Sequence, residues 1–301
     1  MSGTAVLGGV VARTALTFLL AQPGGADRAV LCDGLDRPPA DRAAALAALG
    51  DPGRERLRAL AASPTPADAA CGVAGLAALR DRQLPTLLAA ALKQPAMRDD
   101  AYRMARWAAF AAGGPAADLG PTYAPVVDTL ADPAIRAAVG DDAVRLLGEI
   151  DHPSARDRLV AELDRPQSDT TIDAVIHALA RQGEGRPRAR VVALGQEAVA
   201  SRSGNLTYEQ ASRIGAVAFY LLALGPESRA EGLEFLRQMA PDPQADTAAW
   251  TVQTWCERAV RRPAGREAAE AMRTTLAAEF DGMGIRWRTL ARGAFTCPTA
   301  P

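Results

Sequence analysis

Apolar residues recur along most of this chain with the step of a helix. Ile172, Val175, Ile176 and Leu179 fall at i, i+3, i+4 and i+7, on one face of an α-helix. Leu84, Leu88 and Leu92 repeat every four residues, and Leu159, Val160 and Leu163 make a second short stripe. Runs of β-branched residues with period two, the mark of a strand, are nearly absent. The pattern predicts helices at 40–49, 53–62, 67–80, 83–93, 97–112, 120–131, 134–150, 153–164, 168–182 and 187–200. Later ones are predicted near 207–224, 226–240, 244–262 and 264–281. The turns between them are short and carry Gly or Pro, as antiparallel neighbours require. Residues 183–187 and 201–205 are the loosest links. The expected fold class is all-α.

A short motif punctuates these helices. Leu-x-x-Pro occurs at Leu92–Pro95, Leu130–Pro133 and Leu163–Pro166, with a weaker match at Leu49–Pro52. The leucine closes the core stripe of one helix. The proline, which lacks an N–H, blocks continuation and suits the first turn of the next helix. Asp51 and Asp132, just before their prolines, are placed to cap that turn. From Leu49 to Leu92, Leu130 and Leu163 the intervals are 43, 38 and 33 residues. Periods of this size belong to stacked helical repeats, in which each helix pair buries its remaining apolar face against the next. The expected architecture is an α-α superhelix, a solenoid of antiparallel helix pairs.

The stretch DHPSARDRLVAELDRP, followed by SDTTIDAVIHALARQG, resembles the bacterial HEAT-like repeat of the kind first noted in phycobilisome lyases. So does LRDRQLPTLLAAALKQP with MRDDAYRMARWAAFAAGG after it. The likeness covers roughly residues 40–200 and departs from the pattern at Gly140-Asp141-Asp142, a small insertion in one helix. It implies a HEAT-like solenoid over 27–205 and a less regular helical cap over 206–301. It also implies a non-catalytic scaffold or adaptor whose partner is another protein. In such stacks the second helix of each pair lines the concave face. That singles out Tyr123, Arg156, Arg158, Glu162, Arg190 and Glu197 as a partner-binding face. Fold alone does not decide activity. HEAT-like enzymes of the lyase or base-excision glycosylase type are the alternative, with Trp107, an Asp and several Arg as the pocket to look for. A structural spacer of the cell envelope is the third reading.

Composition narrows the choice. The chain of 301 residues carries 34 basic and 35 acidic groups, a net charge of −1. A general nucleic-acid binder needs a basic footprint, so nucleic acid is not the expected partner. Arg186, Arg188, Arg190 and Arg202 form a local basic cluster, expected at solvated helix ends, with contact to an anion or an acidic partner as the alternative.

Residues 4–21 form an interrupted apolar run whose only charge is Arg13, and Gly24-Gly25-Ala26 follows. The expectation for 1–26 is a cleaved export signal, with a first capping helix as the alternative. The run is too short and too interrupted to span a membrane. The four cysteines fall in two terminal pairs, Cys32 with Cys71 and Cys256 with Cys297. Two local disulfides are expected, with buried free thiols as the alternative, and they suit an oxidising compartment. The expected location is periplasmic or secreted; the alternative is cytoplasmic.

Catalytic chemistry has few carriers. There are only two histidines, His152 expected in a turn role and His177 expected to face solvent. No zinc spacing, nucleophile elbow or phosphate-cradling loop occurs, so no metal, cofactor or enzyme activity is expected. Asp99-Asp100 and Asp141-Asp142 are paired carboxylates at helix starts, where they complement the helix dipole. The aromatics concentrated after residue 207 are expected mainly in a core.

Overall fold

The computed structural model describes residue 32 and residues 47–94, 121–150, 152–165, 168–239 and 241–245. These residues form eleven α-helices, a 3-10 turn at Pro121–Tyr123 and no strand, so the chain is all-α over them. The predicted helices at 40–49, 97–112, 244–262 and 264–281 lie wholly or mostly outside them. So do the export segment 1–26, Asp99, Asp100, Trp107, Cys256 and Cys297. The helices are α1 Gly50–Ala61, α2 Pro66–Ala78, α3 Leu84–Leu92, α4 Ala124–Thr129, α5 Pro133–Val139 and α6 Asp141–Glu149. They continue as α7 Pro153–Glu162, α8 Asp169–Gln182, α9 Arg188–Ala200, α10 Tyr208–Leu224 and α11 Pro226–Met239. The chain divides into two compact units, the first holding α1–α3 and α5, the second α6–α11, with α4 across the division. α10 and α11 thus belong to the same unit as α6–α9, on both sides of residue 205.

In the first unit α1, α2 and α3 pack on one another. Leu57, Leu76, Leu88 and Leu92 are fully buried there, each worth about 1.5–3 kcal/mol of removal from water. The approach of α1 to α2 is close enough to demand glycine. A Cβ at Gly72 would sit 2.6 Å from both the Ala61 Cα and the Leu57 carbonyl oxygen. Beside Gly72, Cys71 is buried and disulfide-bonded to Cys32, with the two Cα atoms 5.3 Å apart. The turn after α2 is built on Asp81. Its Oδ1 accepts from the Gln83 N–H at 2.9 Å and Arg58 Nε at 3.3 Å. Its Oδ2 accepts from Arg54 at 3.0 Å and Arg58 at 2.7 Å. Burial pushes the Asp81 carboxyl up, but the donors from Arg58, Gln83 and Arg54 outweigh it and hold it below its usual range.

Two prolines of the Leu-x-x-Pro motif behave differently from each other. Asp132 caps α5, accepting from Ala134 N–H at 2.8 Å and Ile135 N–H at 3.3 Å, as expected. Asp51 does not cap: it lies inside the first turn of α1, whose N-cap is Leu49 without a side-chain hydrogen bond. The predicted single helix 134–150 is two helices. Gly140 takes φ +64°, open to glycine and strained for other residues, and α5 ends before it while α6 begins after it. Asp141 and Asp142 then occupy the first turn of α6.

In the second unit α6 packs on α8 and α8 on α10, while α7 packs on α6 and α8, α9 on α10 and α11 on α10. Polar ties show how the row α6, α8, α10 is aligned. Thr171, near the start of α8, donates to Asp141 at the start of α6. At the other end Gln182 Nε2 donates to the carbonyls of Gly148 and Ile150, both at 2.8 Å, and of Leu147 at 3.2 Å. It thereby adds a side-chain donor to the carbonyls at the end of α6, two of which, Leu147 and Ile150, also accept from the backbone N–H groups of Ile150 and His152. Between α8 and α10, Asp173 accepts from Ser212 at 2.6 Å and from Arg213. Further along, the Tyr220 hydroxyl donates to the Glu184 carbonyl at 2.7 Å. Start therefore meets start and end meets end, so these three helices run parallel. From Ala174 to Ala180 on α8 and from Arg213 to Leu222 on α10 every residue is buried. Over these stretches both helices are enclosed on all sides.

Candidate functional site

With α8 and α10 enclosed, the open polar face of the second unit, among the described residues, is carried by α7, α9 and α11. On α7 Asp157, Ala161 and Asp164–Arg165 just beyond it are exposed; on α9 Arg188, Ala189, Arg190, Gln196 and Glu197; on α11 Glu227, Glu234, Arg237 and Gln238. The charges on this face are cross-linked. Arg186, in the turn before α9, donates to Asp157 of α7 at 2.8 Å and to Glu184 at 2.7 Å. Arg188 of α9 pairs with Glu231 of α11, and its Nε donates to Ser228 at 3.3 Å. Arg190 lies 3.7 Å from Glu197 on the same helix. A ladder of opposite charges thus runs from α7 through α9 to α11. Such exposed pairs are each worth only about 0–1 kcal/mol. Their larger effect is to neutralise the arginine cluster: Arg202, its fourth member, is held by Asp242 at 3.3 Å. The Arg186 side chain keeps Glu184 below the usual carboxylate range, against the smaller opposing effect of burial.

The six residues expected to bind a partner do not share one environment. Arg190 and Glu197 are exposed on α9, and Arg156 and Arg158 are half-buried on α7. Glu162 is 6 % exposed and pairs with Arg165 at 3.1 Å. Tyr123 is 5 % exposed, in the 3-10 turn, and its phenol is pushed up to about 12 by that burial. Glu162 and Tyr123 therefore present little surface to a partner. α7 places Arg156 outward but turns Glu162 inward, because the two are six residues apart on a helix of 3.6 residues per turn.

The two histidines separate sharply. His152 is the N-cap of α7, its Nδ1 accepting from the Ser154 N–H at 3.2 Å, the turn role expected of it. His177 is a correction: it does not face solvent but is 8 % exposed, its ring 5.2 Å from that of Phe219 on α10. Its apolar neighbours Val175, Ile176 and Leu179 left it the outer side of the predicted stripe. The enclosure of α8 on every side removes that outer side. Among the described residues no three His, Cys, Asp or Glu side chains gather to hold a metal. Phe219, Tyr220 and Phe235 are buried, as expected of core aromatics, whereas Tyr208 at the start of α10 is 67 % exposed. Sequence reasoning missed the charge ladder and the buried Asp173–Arg213 pair. Asp173 and Arg213 lie 40 residues apart, beyond the reach of any local pattern.

No helix among the described residues is long and apolar enough to cross a membrane. No protein-family model matches the chain, and no curated protein matches it in sequence.

Proposed function

We propose that this chain is a scaffold of stacked HEAT-like helix pairs, exported to an oxidising compartment, that binds another protein. The observation that carries the reading is the alignment of parallel helices by ties one repeat apart. Between α6 and α8 and between α8 and α10 these ties span 30 to 40 residues. Between the outer helices Asp157 reaches Arg186 over 29 residues and Arg188 reaches Glu231 over 43. These separations overlap the 33- to 43-residue intervals of the Leu-x-x-Pro motif, which supports a repeated two-helix unit. The partner-binding face is assigned to α7 and α9, centred on Arg156, Arg190 and Glu197. Because the charges there are mutually neutralised, partner contacts would be polar and only weakly dependent on salt. The Cys32–Cys71 disulfide supports the oxidising compartment.

The test is capture from the native envelope fraction by the full chain and by a variant carrying Arg156→Glu, Arg190→Glu and Glu197→Arg. The expected result is loss of capture at an unchanged melting temperature. Equal capture by the variant removes this face from the proposal. N-terminal sequencing of the mature protein tests export separately.

A further inference from the structure

His177 sits where two helices of the row meet. α8 packs on α6, α7 and α10, and the imidazole lies within the part of α8 that is buried throughout. α10 meets it with the uncharged ring of Phe219. Among the described residues the charges that act on it are Arg181, on α8 itself, and Arg145, on α6, so neither α7 nor α10 contributes one. One turn earlier the same contact holds the buried Asp173–Arg213 pair, whose carboxylate is already engaged by Arg213 and Ser212. A proton on His177 would therefore add a cation to a buried site on which two arginines already act.

We propose that His177 makes the contact between α8 and α10 an acid-operated latch, closed at neutral pH and released as the imidazole takes up a proton. Burial first, then Arg181 and Arg145, pull the His177 imidazole down to about 3 from its ordinary 6.5. The sign follows from linkage. The opened chain binds the proton near pH 6.5 and the closed chain does not, so the latch is fully stable above that pH. Its stability falls steadily below it and levels off only near the folded value. Between pH 7 and pH 5 the opening constant rises about 25-fold. The carboxylates titrate mostly below this window. The latch does not depend on the protein-binding reading.

The test is hydrogen exchange with mass spectrometry on the full chain at pH 7 and pH 5, corrected for intrinsic rates. Peptides from α8 and α10 should open about 25-fold more often at pH 5, those from α2 far less. His177→Leu should abolish the excess. An equal change in all helices, or the same excess in His177→Leu, overturns the proposal. Should that variant not fold, imidazole NMR of the wild type decides. With only two histidines in the chain, the His177 signal must remain neutral to pH 5 in the folded state. Titration near 6.5 overturns the latch.

Discussion

Removing the Cys32–Cys71 crosslink should cost the first unit much of its stability. The two residues are 39 apart in sequence. Closing a loop of that length removes about 13 cal/mol/K of chain entropy from the unfolded state, which is about 4 kcal/mol at 25 °C. Crosslinks often deliver less than this figure, so a loss of about 2–4 kcal/mol is the expected range. The side chains themselves contribute little to the difference. Cys32→Ala changes a half-buried position and leaves Cys71 buried in place. Such a loss is large against the about 5–15 kcal/mol that holds a typical domain together. The assay is urea unfolding of the full chain, wild type against Cys32→Ala, followed by exchange protection of α2 peptides. Thiol counting under non-reducing conditions establishes that the bond is present. A reductant should bring the wild type to the level of the variant. If Cys32→Ala and reduced wild type both unfold within about 0.5 kcal/mol of the oxidised protein, the loop-closure reasoning fails.

Three further outcomes are expected. Asp173→Asn removes the charge that Arg213 faces in the interior and should destabilise the second unit by about 3–5 kcal/mol. The double change Asp173→Leu with Arg213→Met should recover most of that in thermal unfolding. Gly72→Ala drives a methyl into the Ala61 backbone and should cost about 1–3 kcal/mol or more, read from urea midpoints. Glu184, held below its ordinary 4.5 by Arg186, contributes stability that is complete above that pH and lost as pH falls through the lower folded value. Arg186→Met should remove that part of the acid-side loss, seen as a flatter melting temperature between pH 5 and pH 3.

How much was legible in the chain depends on the scale at issue. Helices with a clear apolar stripe, such as α8 and α10, stand within about two residues of their predicted bounds, because period and caps agree there: Ser168 and Thr207 cap them as their residue types suggest. The helix 134–150 was misjudged at Gly140, because a lone glycine in a helical pattern is silent about φ until its backbone is seen. The disulfide was legible from cysteine placement and the cap from Asp132. His177 was not, because a stripe shows which face is buried first and says nothing about a helix buried on all of them. Burial within the expected partner face was likewise not readable from the stripe. Arg190 and Glu197 are exposed, but Glu162 and Tyr123 turn inward, since choosing polar residues on a named helix ignores its rotation about its own axis. The charge ladder needed pairings between residues 29 to 43 apart, and no local pattern carries those.

The forward reach of the polar ties sets an order of assembly during synthesis. Asp173 leaves the ribosome 40 residues ahead of Arg213, which at about 5–20 residues per second is about 2–8 s. Until then its carboxylate must stay in water, and α8 cannot seat that flank. Among the described residues, each new helix of the row α6, α8, α10 thus locks the one before it as it arrives.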